Sequence, residues 1–365
     1  MAEFVRLPFS ISAFASAGAG GLTSLIIKRQ VREGISNVTS SATYYFYGVD
    51  YYTGGCALSV IDPMVGRLVG VRSLSGGKPG RLVAHPDGSR LYIPAGVSKD
   101  TFEVLVIDTK SLDVTTRIEL PGSVSEWGAT LAISPDGSRL YAGTPTGAAI
   151  EIDTATNTVL RTIEDATDDI GHLAVSADGL RLYGGLTRGR TVAAVRPTVL
   201  AEGKAGEAVG FGRESDYAGG GVSGVEIMPG PDTTRLLVFQ YYEGIIALDP
   251  VTLAVKARYQ YTAGGDTTHV VLSPDGRHLY LGIVGEEGRI LDAVTLTETG
   301  TFPAESGHGM CMGTDGTLFV AANYDQEGQQ GVLLRPGTDP KDRRQFDLPD
   351  RLSVVVQAAP TAWRP

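Results

Sequence analysis

Leu131–Tyr141 reads LAISPDGSRLY: a short apolar run, an Asp-Gly pair and a second apolar run. Two strands joined by a tight turn are implied. Asp accepts nearby backbone N–H groups, and Gly supplies the positive φ that such a turn needs. Variants return along the chain as LVAHPDGSRLY (Leu82–Tyr92), LAVSADGLRLY (Leu173–Tyr183), VEIMPGPDTTRLLV (Val225–Val238), VVLSPDGRHLY (Val270–Tyr280) and MCMGTDGTLFV (Met310–Val320). Recurrence at a fixed period is the signature of a repeat architecture, and it decides the fold before any local argument does.

A second marker counts the repeat independently. It ends the third strand of each unit, at Ile61-Asp62, Ile107-Asp108, Ile152-Asp153, Val195-Arg196, Leu248-Asp249, Leu291-Asp292 and Leu334-Arg335. Those seven markers lie 43 to 46 residues apart, except for 53 between Val195 and Leu248. About 40–45 residues make one four-stranded antiparallel propeller blade. The expected fold is therefore all-β, a seven-bladed β-propeller.

The first unit has three strand signals, YYFYGV (Tyr44–Val49), ALSVID (Ala57–Asp62) and RLVGVR (Arg67–Arg72), but no turn strand before them. LSVVVQ (Leu352–Gln357) is left over at the other end. A closing blade shared between the N- and C-terminal segments accounts for both and removes free edges. The chain thus divides into an N-terminal extension, 1–43, and a single propeller domain, 44–365. In the alternative arrangement, 1–43 supplies the missing strand or part of an extra blade. Leu22–Arg29 (LTSLIIKR) has the composition of a strand.

Composition narrows the partners. The formal net charge of −10, with no Lys/Arg cluster, argues against nucleic acid, whose phosphates need a basic face. No run of 18 apolar residues exists, so no membrane-spanning helix is expected. The N-terminus has one early basic residue, Arg6, and Ser10, Ser12 and Ser16 interrupt its apolar stretch, which is unlike a signal peptide. The expected compartment is cytoplasmic, with secretion as the alternative. Cys56 and Cys311 do not make a disulfide framework.

The repeat resembles the YVTN family of β-propeller repeat proteins, and with it the lactonase-like and nitrous-oxide-reductase-like seven-bladed propellers. SPDGSRLYAG (Ser134–Gly143), SPDGRHLYLG (Ser273–Gly282) and DTATNTVLRTI (Asp153–Ile163) carry the likeness, which covers roughly Tyr44–Leu334. It implies the fold and says little about chemistry, because its motif residues are structural. The Tyr of each RLY sequence (Tyr92, Tyr141, Tyr183, Tyr280) is read as packing.

Function has to be sought where the units differ. The Asp-Gly turn closes one end of each innermost strand, so the residues upstream of that strand lie at the opposite face, near the axis. Six residues before the turn Asp stand Arg81, Thr130, His172, His269 and Gly309, with Gly224 in the gap-shifted unit and His308 one place before Gly309. Nine or ten before it stand Lys78, Glu126, Asp169, Asp266 and Glu305. Imidazole titrates near neutrality, so His172, His269 and His308 are candidate acid–base catalysts. Arg81, Glu126, Trp127, Asp169, Tyr241, Tyr242, Asp266 and Tyr324 are candidate substrate-binding residues on the same face. His with carboxylates also suits a divalent metal, although no HxH or HxxxH spacing supports one and no cofactor is expected. A solvated rim would carry polar residues in any case.

The 53-residue spacing comes from Val199–Ser223, a Gly-rich charged stretch holding Phe211, Arg213, Glu214, Asp216 and Tyr217. Long loops on rigid scaffolds often bind ligands. The function expected is small-molecule binding in an axial funnel, with lyase, isomerase/cyclase or hydrolase chemistry of a bacterial secondary-metabolic kind. Lactone hydrolysis is suggested only by the fold. The alternative is a non-catalytic scaffold holding a protein or glycan on the same face. The expected assembly is a monomer or weak homodimer.

Overall fold

The computed structural model describes residues 44–49, 57–74, 77, 79–98, 100–122, 129–144, 146–166, 172–186, 194–210, 222–228, 235–240, 244–260, 267–283, 286–322, 330–335, 343–348, 352 and 354–358. At 222–228, 239–240, 267–268, 304–308 and 354–358 the description is of the backbone. All regular elements among these residues are strands, and they form seven antiparallel four-stranded blades.

From the axis outward, blade 1 is Val354–Ala358, Tyr45–Val49, Ala57–Asp62 and Arg67–Ser73. Blade 2 is Val83–Ala84, Arg90–Gly96, Thr101–Asp108 and Val114–Pro121; blade 3 is Leu131–Ile133, Arg139–Gly143, Ala149–Asp153 and Thr158–Ile163. Blade 4 holds His172–Val175, Arg181–Leu186 and Ala194–Val199, and its outer edge is split between Lys204–Ala205 and Val209–Gly210. Blade 5 is Val222–Met228, Arg235–Gln240, Gly244–Leu248 and Val255–Gln260. Blade 6 is Thr267–Leu272, His278–Ile283, Glu287–Asp292 and the first part of Glu298–Met312. That 15-residue strand continues as the innermost strand of blade 7, followed by Leu318–Ala322, Gln330–Leu334 and Arg344–Asp347.

The shared closing blade is present. Tyr45 pairs with Ala358 and Val49 with Val354, so the C-terminal strand takes the innermost place of blade 1. With that place filled, residues 1–43 are not needed to complete the blade. Leu22–Arg29 lies outside the described residues.

Packing follows from the two-residue period of a strand, which sends alternate side chains to opposite faces. In RLYIPAG of blade 2, Leu91, Ile93 and Ala95 join a cluster with Tyr47, Leu58 and Val60 of blade 1. Tyr92, between them, joins Leu131, Leu140 and Ile150 of blade 3. Seven such clusters occur among the described residues, one at each interface between neighbouring blades, including the one joining blade 7 to blade 1 through Phe319, Phe46 and Leu352.

The turns are built as their residues dictate. Gly137 has φ +74°. Asp136 Oδ1 accepts the Ser134 hydroxyl at 2.6 Å and the Ser138 N–H at 3.0 Å, and Ser134 Oγ accepts the Arg139 N–H at 2.9 Å. The turn between third and fourth strands has its own device: Asp153 Oδ1 accepts the Ala155 and Thr156 N–H groups at 3.0 and 2.9 Å. The repeated aspartates are therefore structural caps. The Ser134 hydroxyl and the Ser138 N–H and hydroxyl hold the Asp136 carboxyl at about 2. Burial raises that of Asp315, but hydrogen bonds from Tyr44, Thr317 and Arg335 outweigh it and hold it at about 2.

Tyr183 does more than pack, because it donates its hydroxyl to the Pro250 carbonyl of the next blade, and Tyr47, at the corresponding place in blade 1, donates to the Thr109 carbonyl at 3.3 Å. Between blades 2 and 3, Arg90 Nη1 takes the equivalent carbonyl, that of Thr154, at 2.7 Å. Tyr92 Oη is left buried with no hydrogen-bond partner among the described residues.

Two predictions follow from these contacts. Tyr183→Phe is expected to lose about 1 kcal/mol, the usual net worth of one hydrogen bond, whereas Tyr92→Phe should be neutral or stabilising. Urea unfolding of the two variants checks this, and equal losses would contradict it. The capping carboxylates have folded pKa values below the unfolded one, so their stabilisation is complete above roughly pH 4. It is lost as the pH falls through about 2. Melting temperature against pH should decline over that window, and substitution of Asp136 by Asn should flatten the decline.

Candidate functional site

The innermost strands stand side by side around the axis, and Val354–Ala358 packs beside Val83–Ala84 to complete the circle. One position recurs at their upstream ends, opposite the residue two places after the RLY tyrosine. His172 faces Gly185, His269 faces Gly282, Gly224 faces Phe239, Gly309 faces Ala321 and Val354 faces Val49. Thr130, whose carbonyl accepts the Gly143 N–H at 3.0 Å, holds this place in blade 3. Arg81, two residues before the Val83–Tyr92 pair, holds it in blade 2. Seven blades thus present a ring of Val354, Arg81, Thr130, His172, Gly224, His269 and Gly309. Directly upstream of the ring the ladder shifts register in blades 5, 6 and 7. Bulges concentrate at rims and near binding sites because they re-aim the chain.

The backbone that delivers Arg81 is pinned along its length. Gly77 N–H donates to the Gly96 carbonyl at 2.9 Å, Pro79 bridges to Ala95, and Gly80 N–H donates to the Pro94 carbonyl at 2.7 Å. Arg81 N–H then reaches the Ala129 carbonyl of blade 3 at 3.1 Å. Gly80 has to be glycine here, because a Cβ would lie 2.2 Å from the Ala129 oxygen. Gly77, Pro79 and Gly80 accordingly form a pinned lead-in that sets the Arg81 backbone beside Ala129 and Thr130.

His172 begins its strand beside Leu131–Ile133 of blade 3. Its ring is only partly buried by surface area, yet protein encloses it. That burial pushes the imidazole well below its usual range, and the Arg81 charge pushes it further down. Arg81 and His172 stand two blades apart in the ring, and the charge of one acts on the other. Their ring positions flank that of Thr130 on adjacent inner strands. Thr130, buried between them, was passed over in the sequence reading, although it occupies the same aligned column.

His269 is half-buried at its place in blade 6. His308 lies in the bulge between the Ser306–Ala322 and Gly309–Ala321 pairs, one step off the ring, and its side chain is outside the description. Glu126, Trp127, Asp169, Tyr241, Tyr242, Asp266 and Tyr324 lie outside the described residues. The long insertion is shorter than its spacing implied. Lys204–Ala205 and Val209–Gly210 both pair with Ala194–Val199 and finish blade 4. Val222 already belongs to blade 5. Residues 211–221, with Phe211, Arg213, Glu214, Asp216 and Tyr217, fall outside the described residues. Among the described residues no group of three His, Cys, Asp or Glu is placed to hold a metal ion.

Fold and ring define a seven-bladed β-propeller with a polar axial position in blades 2, 3, 4 and 6. No family model matches the chain, and no curated protein sequence does. Solved structures show the likeness. A putative 6-phosphogluconolactonase from Bacteroides fragilis superposes with a TM-score of 0.61 at 15% identity, over 88% of this chain and 100% of that one. The β-propeller domain of Cps50 (Swd1) from Myceliophteria thermophila gives 0.60 at 12% identity, over 78% and 91%. Hydrazine synthase from Kuenenia stuttgartiensis gives 0.55 at 16% identity, over 72% and 80%. At these identities the likeness carries the propeller fold and nothing of activity.

The charge of Arg81 on His172 can be read directly. In a pH titration followed by imidazole NMR, the His172 ring should stay neutral well below pH 6.5. Arg81→Ala should move its midpoint upward. An unchanged midpoint would place the two side chains in separate environments.

Proposed function

We propose that this propeller binds a small molecule at the upstream ends of its inner strands and transforms it by acid–base chemistry. The observation that carries the reading is the succession of Arg81, Thr130 and His172 at one level of adjacent inner strands, with burial holding the His172 imidazole neutral. A neutral imidazole can accept a proton from water or hydrogen-bond to a carbonyl, and a guanidinium beside it stabilises negative charge as that develops. His269, two blades further round, supplies a second imidazole.

Hydrolysis of a lactone is the reaction favoured among the lyase, isomerase/cyclase and hydrolase types, because a neutral imidazole and a guanidinium suit attack of water on a carbonyl; the name of the similarly folded putative 6-phosphogluconolactonase suggests the substrate by fold analogy only. In that reaction water adds to the lactone carbonyl carbon, and a histidine takes the water proton. The ring C–O bond then breaks, and the same proton passes to the departing alkoxide. A hydroxy acid is the product. The hydrogen-bonding side chains and the pinned backbone would provide orientation, which supplies much of the rate in such sites.

Lactone turnover measured by proton release is the test, with gluconolactone and its 6-phosphate as probes. The wild-type chain should exceed the buffer rate. His172→Ala combined with His269→Ala should lower kcat on the order of 10²-fold, the usual worth of general acid–base groups. Wild-type turnover in the double variant would sink the acid–base assignment. A tight protein or glycan ligand unaffected by that variant would favour a binding scaffold instead.

A further inference from the structure

The ring is not uniform, and its asymmetry says what kind of molecule it takes. Blades 2, 3 and 4 contribute Arg81, Thr130 and His172 in succession, a run of three hydrogen-bonding side chains on one side. Blades 5 and 7 contribute Gly224 and Gly309, which place no side chain at the axis. Blade 1 contributes Val354. The polar side has a pinned backbone. Arg81 N–H is bonded to blade 3, Gly80 admits no Cβ, and the His172 strand packs beside that of Thr130.

We infer that Arg81, Thr130 and His172 form an anion-recognition subsite that holds a carboxylate or phosphate group of the ligand, while the uncharged body of the ligand extends over Gly224 and Gly309. The chemistry of the three side chains matches such a group. A guanidinium offers a planar fork of N–H donors that suits carboxylate and phosphate oxygens. A hydroxyl and an imidazole N–H complete a set of neutral donors beside it. The lowered pKa of His172, caused first by burial and then by the Arg81 charge, keeps the ring neutral with one N–H to donate. Arg81 would then be the specificity-determining residue, and the wall left open by the glycines would set how bulky the rest of the ligand can be. The inference rests on the axial site proposed above and adds the charge of its ligand.

The test compares 6-phosphogluconate, gluconate and glucose, a series that loses phosphate and then carboxylate from a similar carbon skeleton. Their binding is followed through the His172 and His269 imidazole resonances and by calorimetry, at two salt concentrations. The two anions should bind at least tenfold more tightly than glucose, weaken with salt and shift the His172 midpoint upward. Arg81→Ala should abolish the preference, Arg81→Lys should restore part of it, and Lys110→Ala on the opposite face should leave it intact. The inference is overturned if glucose binds the ring as well as the anions do, which leaves the axial site standing. It is overturned equally if Arg81→Ala keeps the full preference. If none of the three moves either imidazole resonance, the anion subsite and the axial small-molecule site fail together.

Discussion

Each blade is a sheet with two apolar faces, and a single four-stranded sheet cannot bury either of them alone. The structure depends on that constraint. Alternation along Leu91–Tyr92–Ile93 sends neighbours to opposite sides, so blade 2 is held by blade 1 through one face and by blade 3 through the other. Repeating this around seven blades leaves no free face, provided that the ends meet. The meeting is made by the C-terminal strand, which pairs with Tyr45–Val49 and brings Leu352 into the cluster joining blades 7 and 1.

A rigid ring of this kind has one consequence for chemistry. The inner strands converge on an axis, so residues more than two hundred positions apart in the chain, such as Arg81 and Gly309, come to one level. Side chains there need no motif in common. They need only the same register, which the Asp-Gly turn sets and the ladders maintain. The inter-blade hydrogen bonds of Tyr47 and Tyr183, and that of Arg90 in place of Tyr92, keep neighbouring blades aligned and so keep the register true around the ring.

The turn residues and the ring residues divide the labour. Asp136 and Asp153 are spent on backbone N–H groups, and their lowered carboxyl pKa values reflect those bonds. Nothing comparable recurs at the ring, where Arg, Thr, His and Gly replace one another from blade to blade. Variation against a fixed scaffold is what a ligand site on a repeat protein requires, since identical blades would offer a symmetric mouth to an asymmetric ligand.

Much of this was legible in the residues. The count of blades, the antiparallel order within each, the closing role of the C-terminal segment and the column holding Arg81, His172 and His269 all follow from period, turn chemistry and alternation, which are local properties. Three things were not. The Tyr183 hydroxyl contact depends on where the neighbouring blade puts a carbonyl, and no spacing within one unit reveals that. The split outer edge of blade 4 hid inside a stretch that read as a loop, because Lys204–Ala205 and Val209–Gly210 are too short to show alternation. The action of Arg81 on His172 depends on blades 2, 3 and 4 packing side by side, for the two are distant along the chain. Local sequence determined the blade and its register; only the packing of blade on blade decided which side chains become neighbours, because that depends on contacts between units and not on the pattern within one.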